Sequence, residues 1–149
     1  QPIALGELGQ YGEGSELAIL SYGNGYYLSR KAAAILQAQG IKLRVIDLRW
    51  LAPLNESAIV EAVADCSNIL IVDECRQTGS ISEALMTMLQ ENNCSANVAR
   101  ITATDSFIPL GTAATVTLPD KDGIVSAALA LLETAPASNN LALANQQSA

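Results

Sequence analysis

The chain has 149 residues, half of them hydrophobic, and 8 basic against 15 acidic residues give it a formal net charge of −7 at pH 7. A chain of this length can bury a core without disulfides or metals. We expect one domain, residues 1–134, and a disordered tail of small and polar residues at 135–149. The acidic balance, without any block of Lys or Arg, argues against nucleic acid and membranes as partners.

The sequence contains no histidine, and its three cysteines, Cys66, Cys75 and Cys94, form no C-x-x-C motif. Without histidine, the chain lacks the commonest metal ligand and the Ser-His and Cys-His nucleophile pairs. We therefore predict no catalytic, cofactor-binding or metal-ligating residue. Three cysteines without a metal-binding pattern indicate a reduced, cytoplasmic setting.

Apolar runs and helical patterns alternate four times along the chain. Strands are predicted at residues 17–22, 43–48, 68–73 and 97–101, the last being less apolar and therefore nearer an edge of the sheet. Each strand precedes a helix with an apolar stripe, formed in turn by Leu28, Ala32, Ile35 and Leu36; by Ile59, Val60 and Val63; by Ile81, Leu85, Met88 and Leu89; and by Ile124, Ala128, Leu131 and Leu132. Asn55 and Asp120 are predicted to cap the second and fourth helices.

This alternation is the signature of a parallel sheet covered by helices on both faces, which is a three-layer α/β/α domain. Residues 3–12 could add one short strand before the first unit, although three glycines interrupt it. The expected fold class is therefore α/β.

Ligands of open α/β sheets bind beyond the carboxyl ends of the strands, so the loops there form the candidate site. The first of these turns holds Gly23, Asn24 and Gly25, whose backbone N–H groups could bind an anion. Leu28 stands where a dinucleotide fingerprint needs its third glycine, so a plain tight turn is favoured. The remaining candidates are Arg49, Trp50, Asp73, Glu74 and Arg76.

The carboxylates expected at this edge, Asp47, Asp73, Glu74 and Asp105, could carry acid/base chemistry. The favoured interpretation is that they cap loops, pair with the neighbouring arginines or contact another subunit. The single tryptophan, Trp50, is expected to pack against a neighbouring domain or subunit. We therefore interpret these loops as interface or anion-binding loops.

Several stretches, in order and at their spacing, resemble a known family. Residues 46–55 read IDLRWLAPLN, residues 71–79 read IVDECRQTG, and residues 105–111 read DSFIPLG. These are similar to the C-terminal domain of the thiamine diphosphate enzymes of the transketolase group. The closest likeness is to the beta subunit, or fused alpha/beta form, of the decarboxylating component of 2-oxo acid dehydrogenases. Many such beta subunits have histidine where Asp73 stands, so this loop departs from the family pattern.

The resemblance implies a mixed, mainly parallel five-stranded sheet whose first strand is antiparallel, which gives residues 3–12 a place. It implies an interface domain, inactive alone, of an enzyme that oxidatively decarboxylates a 2-oxo acid and transfers the acyl group to lipoamide. Thiamine diphosphate and Mg²⁺ would be bound by other parts of that enzyme and not by this domain. The implied partners are a second copy, other domains or subunits of the enzyme, and the acyltransferase core.

Two other hypotheses stay open at this point. The same fold serves transketolase and deoxyxylulose-phosphate synthase, and a fold does not choose between reactions. The third hypothesis is a free-standing α/β module that binds a small anion at residues 23–26.

Overall fold

The computed structural model describes residues 2–134, in which strands and helices alternate as the sequence predicts. The strands are β1 (Gly9–Tyr11), β2 (Leu17–Ser21), β3 (Leu43–Asp47), β4 (Asn68–Arg76) and β5 (Asn97–Ala103). The helices are α1 (Gly23–Ala38), α2 (Glu56–Val63), α3 (Ile81–Glu91) and α4 (Lys121–Thr134), and a 3₁₀ helix covers Gly111–Val116. The tail predicted at 135–149 lies outside the described residues.

The five strands form one mixed sheet in the order β1-β3-β2-β4-β5. Strands β3, β2, β4 and β5 run parallel, and β1 pairs antiparallel with β3, so that Gln10 lies opposite Ile46. The antiparallel first strand and the edge position of β5 are therefore both confirmed. Strand β1 is short, with only three residues.

Strand β2 lies at the centre of the molecule, and all five of its residues are buried. Leu17 and Ile19 face a hydrophobic cluster built with α1 and α4. Ala18 and Leu20 face a second cluster on the other side of the sheet, built with α2 and α3. Because successive side chains of a strand point to opposite faces, one apolar strand supplies both cores. The three-layer α/β/α architecture is confirmed.

Helix α1 buries only part of the apolar stripe that the sequence predicts. Leu28 and Ile35 are only half-buried. Ala32 and Leu36 are buried as predicted, and the other buried residues are the small Gly25, Ser29 and Ala33. A β-carbon at position 25 would lie 2.6 Å from Oγ of Ser21, so the helix approaches β2 more closely than any larger residue would permit.

Two of the helices begin at the capping residues that the sequence predicts. Oδ1 of Asn55 accepts a hydrogen bond from the backbone N–H of Ala58 at 3.2 Å, and Oδ1 of Asp120 accepts one from the N–H of Gly123 at 2.7 Å. Both caps satisfy backbone donors that have no partner inside the helix.

A buried arginine stabilises the edge of the sheet where the parallel strands begin. Arg44 on β3 is only 8% exposed, and its guanidinium donates to both carboxylate oxygens of Asp65, at 2.9 and 2.8 Å. The same group also donates to the carbonyl oxygens of Glu13, Gly14 and Ala62. These bonds join β3 to the segment before β2 and to the end of α2. Of the helices between residues 2 and 134, none is long and apolar enough to cross a membrane.

Candidate functional site

Asp73 lies in β4 and is the centre of a polar group at the carboxyl ends of β2 and β4. Its side chain is fully buried. Oδ1 accepts hydrogen bonds from the Tyr22 hydroxyl at 2.6 Å and the Cys75 N–H at 2.9 Å, and Oδ2 accepts one from the Ser82 N–H at 2.9 Å. One carboxylate therefore joins the turn into α1, the end of β4 and the first turn of α3.

Burial alone would raise the pKa of the Asp73 carboxyl group. Hydrogen bonds outweigh that effect and lower the pKa below its ordinary value, with donors from the hydroxyls of Ser80 and Tyr22 and the backbone N–H groups of Cys75 and Ser82. Burial, followed by the hydrogen bond to Asp73, raises the pKa of the Tyr22 hydroxyl far above its ordinary value. At neutral pH the carboxylate is charged and the phenol is neutral. The pair is a fixed structural anchor and does not have the properties of an acid/base couple.

The start of α1 already has a carboxylate of this chain beside it. Gly23 has a φ of +53°, and a β-carbon there would lie 2.8 Å from Oε1 of Glu74. Asn24 is exposed, whereas Gly25 is buried against β2. A negative group is favourable near a helix amino terminus, and here Glu74 supplies it. This arrangement favours the tight turn over a site for an external anion.

Arg49 and Trp50 lie on the β1 side of the sheet, where Arg49 pairs with acidic side chains near the start of the chain and at the end of β3. Nη1 of Arg49 lies 3.1 Å from Oε1 of Glu7, and its Nε lies 3.7 Å from Oδ2 of Asp47. Trp50 is half-buried, and within the described residues its buried indole N–H has no hydrogen-bond partner. The structure therefore joins Arg49 to Glu7 and Asp47 and not to Asp73 or Glu74.

Arg76 lies in a second polar group, beside an open cavity of about 580 Å³ that is also lined by Thr78, Asp105, Ser106 and Phe107. Asp105 accepts hydrogen bonds from the N–H and hydroxyl of Thr78, at 2.9 and 2.5 Å, and Nε of Arg76 donates to the Thr78 carbonyl at 2.9 Å. The hydrogen bonds from Thr78, first that of its hydroxyl and then that of its N–H, hold the pKa of the Asp105 carboxyl group below its ordinary value. The loops after β4 and β5 are thereby linked.

Four large apolar side chains are exposed on the segment that follows this group. Phe107 is 100% exposed, Leu110 96% and Val116 83%, with Ile108 about half exposed. We call residues 107–116 the apolar segment. Several strongly exposed large apolar side chains on one segment are typical of a surface that contacts another protein.

The structure thus distributes the predicted residues over three places. Gly23, Asn24, Gly25, Asp73 and Glu74 lie together, Arg49 and Trp50 lie near β1, and Arg76 lies beside Asp105. Sequence reasoning missed Tyr22 and Ser82 as partners of Asp73, and it missed the exposure of Phe107. The available signal for Phe107 was its position in a run with Pro109 and Gly111 that matches neither a helix nor a strand period.

Comparisons with known proteins give consistent results. The family model described as transketolase, C-terminal domain, matches residues 6–124. A 1-deoxy-D-xylulose-5-phosphate synthase of Halothermothrix orenii is 31% identical over 136 residues, which cover 89% of this chain and 21% of that protein. A pyruvate dehydrogenase E1 component subunit beta of Staphylococcus aureus is 31% identical over 134 residues, covering 88% of this chain and 41% of that one. The chain therefore spans less than half the length of these relatives.

Two solved structures share the fold. One is a split gene transketolase, an inactive beta4 tetramer, with a TM-score of 0.76 and 22% identity over 87% of this chain and 43% of that one. The other is a 2-oxoglutarate:ferredoxin oxidoreductase from Magnetococcus marinus, with a TM-score of 0.65 and 17% identity over 85% of this chain and 20% of that one.

Proposed function

We propose that this chain, which belongs to the transketolase C-terminal domain family, is the interface domain of the decarboxylating component of a 2-oxo acid dehydrogenase. The whole enzyme would oxidatively decarboxylate a 2-oxo acid and transfer the acyl group to lipoamide. Support comes from the likeness to a pyruvate dehydrogenase E1 beta subunit over 88% of the chain and from the motif series between residues 46 and 79. The expected partners are a second copy, other parts of the same enzyme and its acyltransferase core.

The observation that carries the interface role is the apolar segment. Phe107 and Leu110 are almost completely exposed at the edge of the sheet where α/β domains present their functional loops. Covering such side chains stabilises an assembly by about 25 cal/mol for each Å² removed from water. The polar groups nearby, above all Asp73, already bond to the chain itself. The domain therefore offers a contact surface and few free reactive groups.

We place thiamine diphosphate and Mg²⁺ in other parts of the enzyme. Between residues 2 and 134 no three His, Cys, Asp or Glu side chains cluster as a metal site would require. Thiamine diphosphate supplies the ylid that attacks the substrate carbonyl, and this domain's role is to hold the parts that bind it. Calorimetry on the chain alone tests this placement, because specific binding of thiamine diphosphate with Mg²⁺ would contradict it. A cytoplasmic location remains a prediction, consistent with the free thiols of Cys66, Cys75 and Cys94.

A second reaction is supported by an equally similar relative, the deoxyxylulose-phosphate synthase. The enzyme that contains this domain should be purified and given pyruvate, once with a lipoyl domain and once with glyceraldehyde 3-phosphate. We expect acyl transfer to the lipoyl group. Formation of 1-deoxy-D-xylulose 5-phosphate without acyl transfer would assign the domain to the synthase.

The interface role has its own test in the same enzyme. We expect Phe107→Ser combined with Leu110→Ser to weaken subunit association at least about tenfold in analytical ultracentrifugation, because the interface would lose two apolar side chains that it buries. Met86→Ser on α3 is a matched control, since Met86 is also an exposed apolar residue. Unchanged association of the double variant would contradict an interface at the apolar segment.

A further inference from the structure

Two neighbouring cations on the outer surface of α1 have no carboxylate partner among residues 2–134. Within residues 2–134, the basic residues that form ion pairs are Arg44, Arg49, Arg100 and Lys121. Arg30 and Lys31 are both exposed and belong to none of these pairs. The chain as a whole carries a net charge of −7, so this pair is a local exception to the acidic balance.

Three of the four tyrosines of the chain surround these two cations. The guanidinium carbon of Arg30 lies 3.6 Å from the centre of the Tyr11 ring, and Nη1 of Arg30 donates to the Tyr26 hydroxyl at 3.0 Å. Nζ of Lys31 lies 4.3 Å from the centre of the Tyr27 ring. The spacing of four residues between Tyr26 and Arg30, and between Tyr27 and Lys31, places each pair on one side of the helix. We call these five residues the tyrosine–cation surface.

The rings hold the Arg30 guanidinium in one orientation. Tyr11 covers one face of it, and Tyr26 accepts from only one of its nitrogens. A guanidinium has five N–H donors, so further donors remain for a ligand, and their planar arrangement matches a carboxylate. An arginine that is already fixed loses less conformational freedom on binding than a free one.

We propose that the tyrosine–cation surface is a docking site for an acidic segment of a partner protein. Arg30 and Lys31 would each bind a carboxylate, and Tyr27, which is 57% exposed, would pack against an apolar side chain of the same segment. Charge complementarity supports this occupant, because two exposed cations that have no carboxylate partner within residues 2–134 attract a negatively charged segment. Tyrosine and arginine are also the residues that most often dominate binding energy in protein interfaces.

A short acidic segment suits this surface better than a nucleic acid does. A long polyanion would meet the negative charge of the remaining surface as well as the two cations, whereas a short segment meets only the local field. The proposal is independent of the enzyme assignment above, because it uses only side chains of α1 and β1.

The experiment is fluorescence anisotropy on the intact chain, with a short fluorescein-labelled peptide of Glu-Glu-Leu repeats as the probe. We expect this peptide to bind at least about tenfold more tightly than the matched peptide in which Gln replaces every Glu. Arg30→Gln combined with Lys31→Gln should weaken binding of the acidic peptide at least about tenfold. Lys42→Gln combined with Lys121→Gln removes the same charge elsewhere, and its affinity should stay within about twofold of the unmodified chain.

Three results would overturn the proposal. The first is no binding of the acidic peptide, and the second is an equal loss in both double variants, which would mean a response to net charge alone. The third is tighter binding of a single-stranded oligonucleotide through Arg30 and Lys31, which would assign the surface to nucleic acid.

Discussion

Tyr22 and Asp73 lie 51 positions apart in the sequence, and the hydroxyl of the first donates to Oδ1 of the second across 2.6 Å. The parallel register of β2 and β4 sets Leu20 opposite Ile71, so the residues that follow these two positions on each strand reach the same place at the sheet edge. The bond therefore locks together the two central loops of the edge where α/β domains present functional groups.

Replacing Tyr22 by Phe should lower the free energy of unfolding by about 1–2 kcal/mol, because a buried carboxylate loses one of its donors. The remaining bonds from the N–H groups of Cys75 and Ser82 keep Asp73 ionised and limit the cost. Urea unfolding at neutral pH measures the change. Tyr27→Phe is the control, since Tyr27 is largely exposed. Equal stability of Tyr22→Phe and the unmodified chain would contradict a stabilising bond.

The stability of the fold should depend on pH through Asp73. The pKa of its carboxyl group is lower in the folded than in the unfolded chain. The charged group therefore contributes its full stability above the unfolded pKa of about 3.9, and that contribution is lost as the pH falls through the folded pKa. Asp73→Asn should cost about 2–3 kcal/mol at pH 7 and reduce the loss of stability in acid.

Urea unfolding between neutral pH and about pH 3 would record this difference, because the unfolded carboxyl group titrates in that range. Asp122→Asn is the matched control, since that side chain is 79% exposed. The difference in free energy of unfolding between Asp73→Asn and the unmodified chain should shrink in acid. If it keeps the same size down to the lowest pH, Asp73 is not the titrating group.

Gly25→Ala should destabilise the protein, although alanine usually stabilises a helix. The new β-carbon would lie 2.6 Å from Oγ of Ser21, and relieving this overlap costs about 1–3 kcal/mol. Combining it with Ser21→Ala removes the overlapping oxygen. In thermal unfolding, we expect the double variant to lose less stability than the sum of the losses of the two single variants. Simple additivity would mean that the two atoms do not interact.

Arg44→Lys should cost about 2–3 kcal/mol, because a lysine cannot replace the planar group that bonds Asp65 and three carbonyl oxygens together. The exposed Arg76 provides the control, and Arg76→Lys should change stability by less than about 0.5 kcal/mol. Chemical denaturation of both variants checks the contrast. If Arg44→Lys is as stable as the unmodified chain, the buried arginine acts only through its charge.

The order of elements followed from apolar periodicity, and polar residues in the right places identified their ends. Asn55 and Asp120 cap helices as expected. The buried face of α1 was predicted correctly at Ala32 and Leu36 but not at Leu28 and Ile35, because periodicity weights large apolar residues while the packing distance depends on small ones such as Gly25. The distance between a helix and a sheet depends on the volumes of the side chains between them, and a hydrophobic pattern gives no information about those volumes.

The sequence indicated which residues lie at the carboxyl ends of the strands, but not which of them contact one another. Asp73 and Glu74 were identified because they stand at the predicted end of a buried strand, and in the structure both lie within β4, which continues to Arg76. Their partners, Tyr22 and the start of α1, come from distant parts of the chain, and only the register of β2 with β4 brings them into contact. The separate segments of the sequence therefore could not show that Glu74 lies beside the turn considered as an alternative anion site.

Strand β1 has a consequence for any shortened form of this polypeptide. Its three residues cover the outer side of β3 through antiparallel pairing at Gly9, Gln10 and Tyr11. Deletion up to Gly12 would uncover the backbone donors and acceptors of a strand whose first four residues are buried and which has no charged side chain other than Arg44 and Asp47. Uncovered strands of this kind pair with one another between molecules. The leading dozen residues thus protect the domain from aggregation as well as completing its sheet.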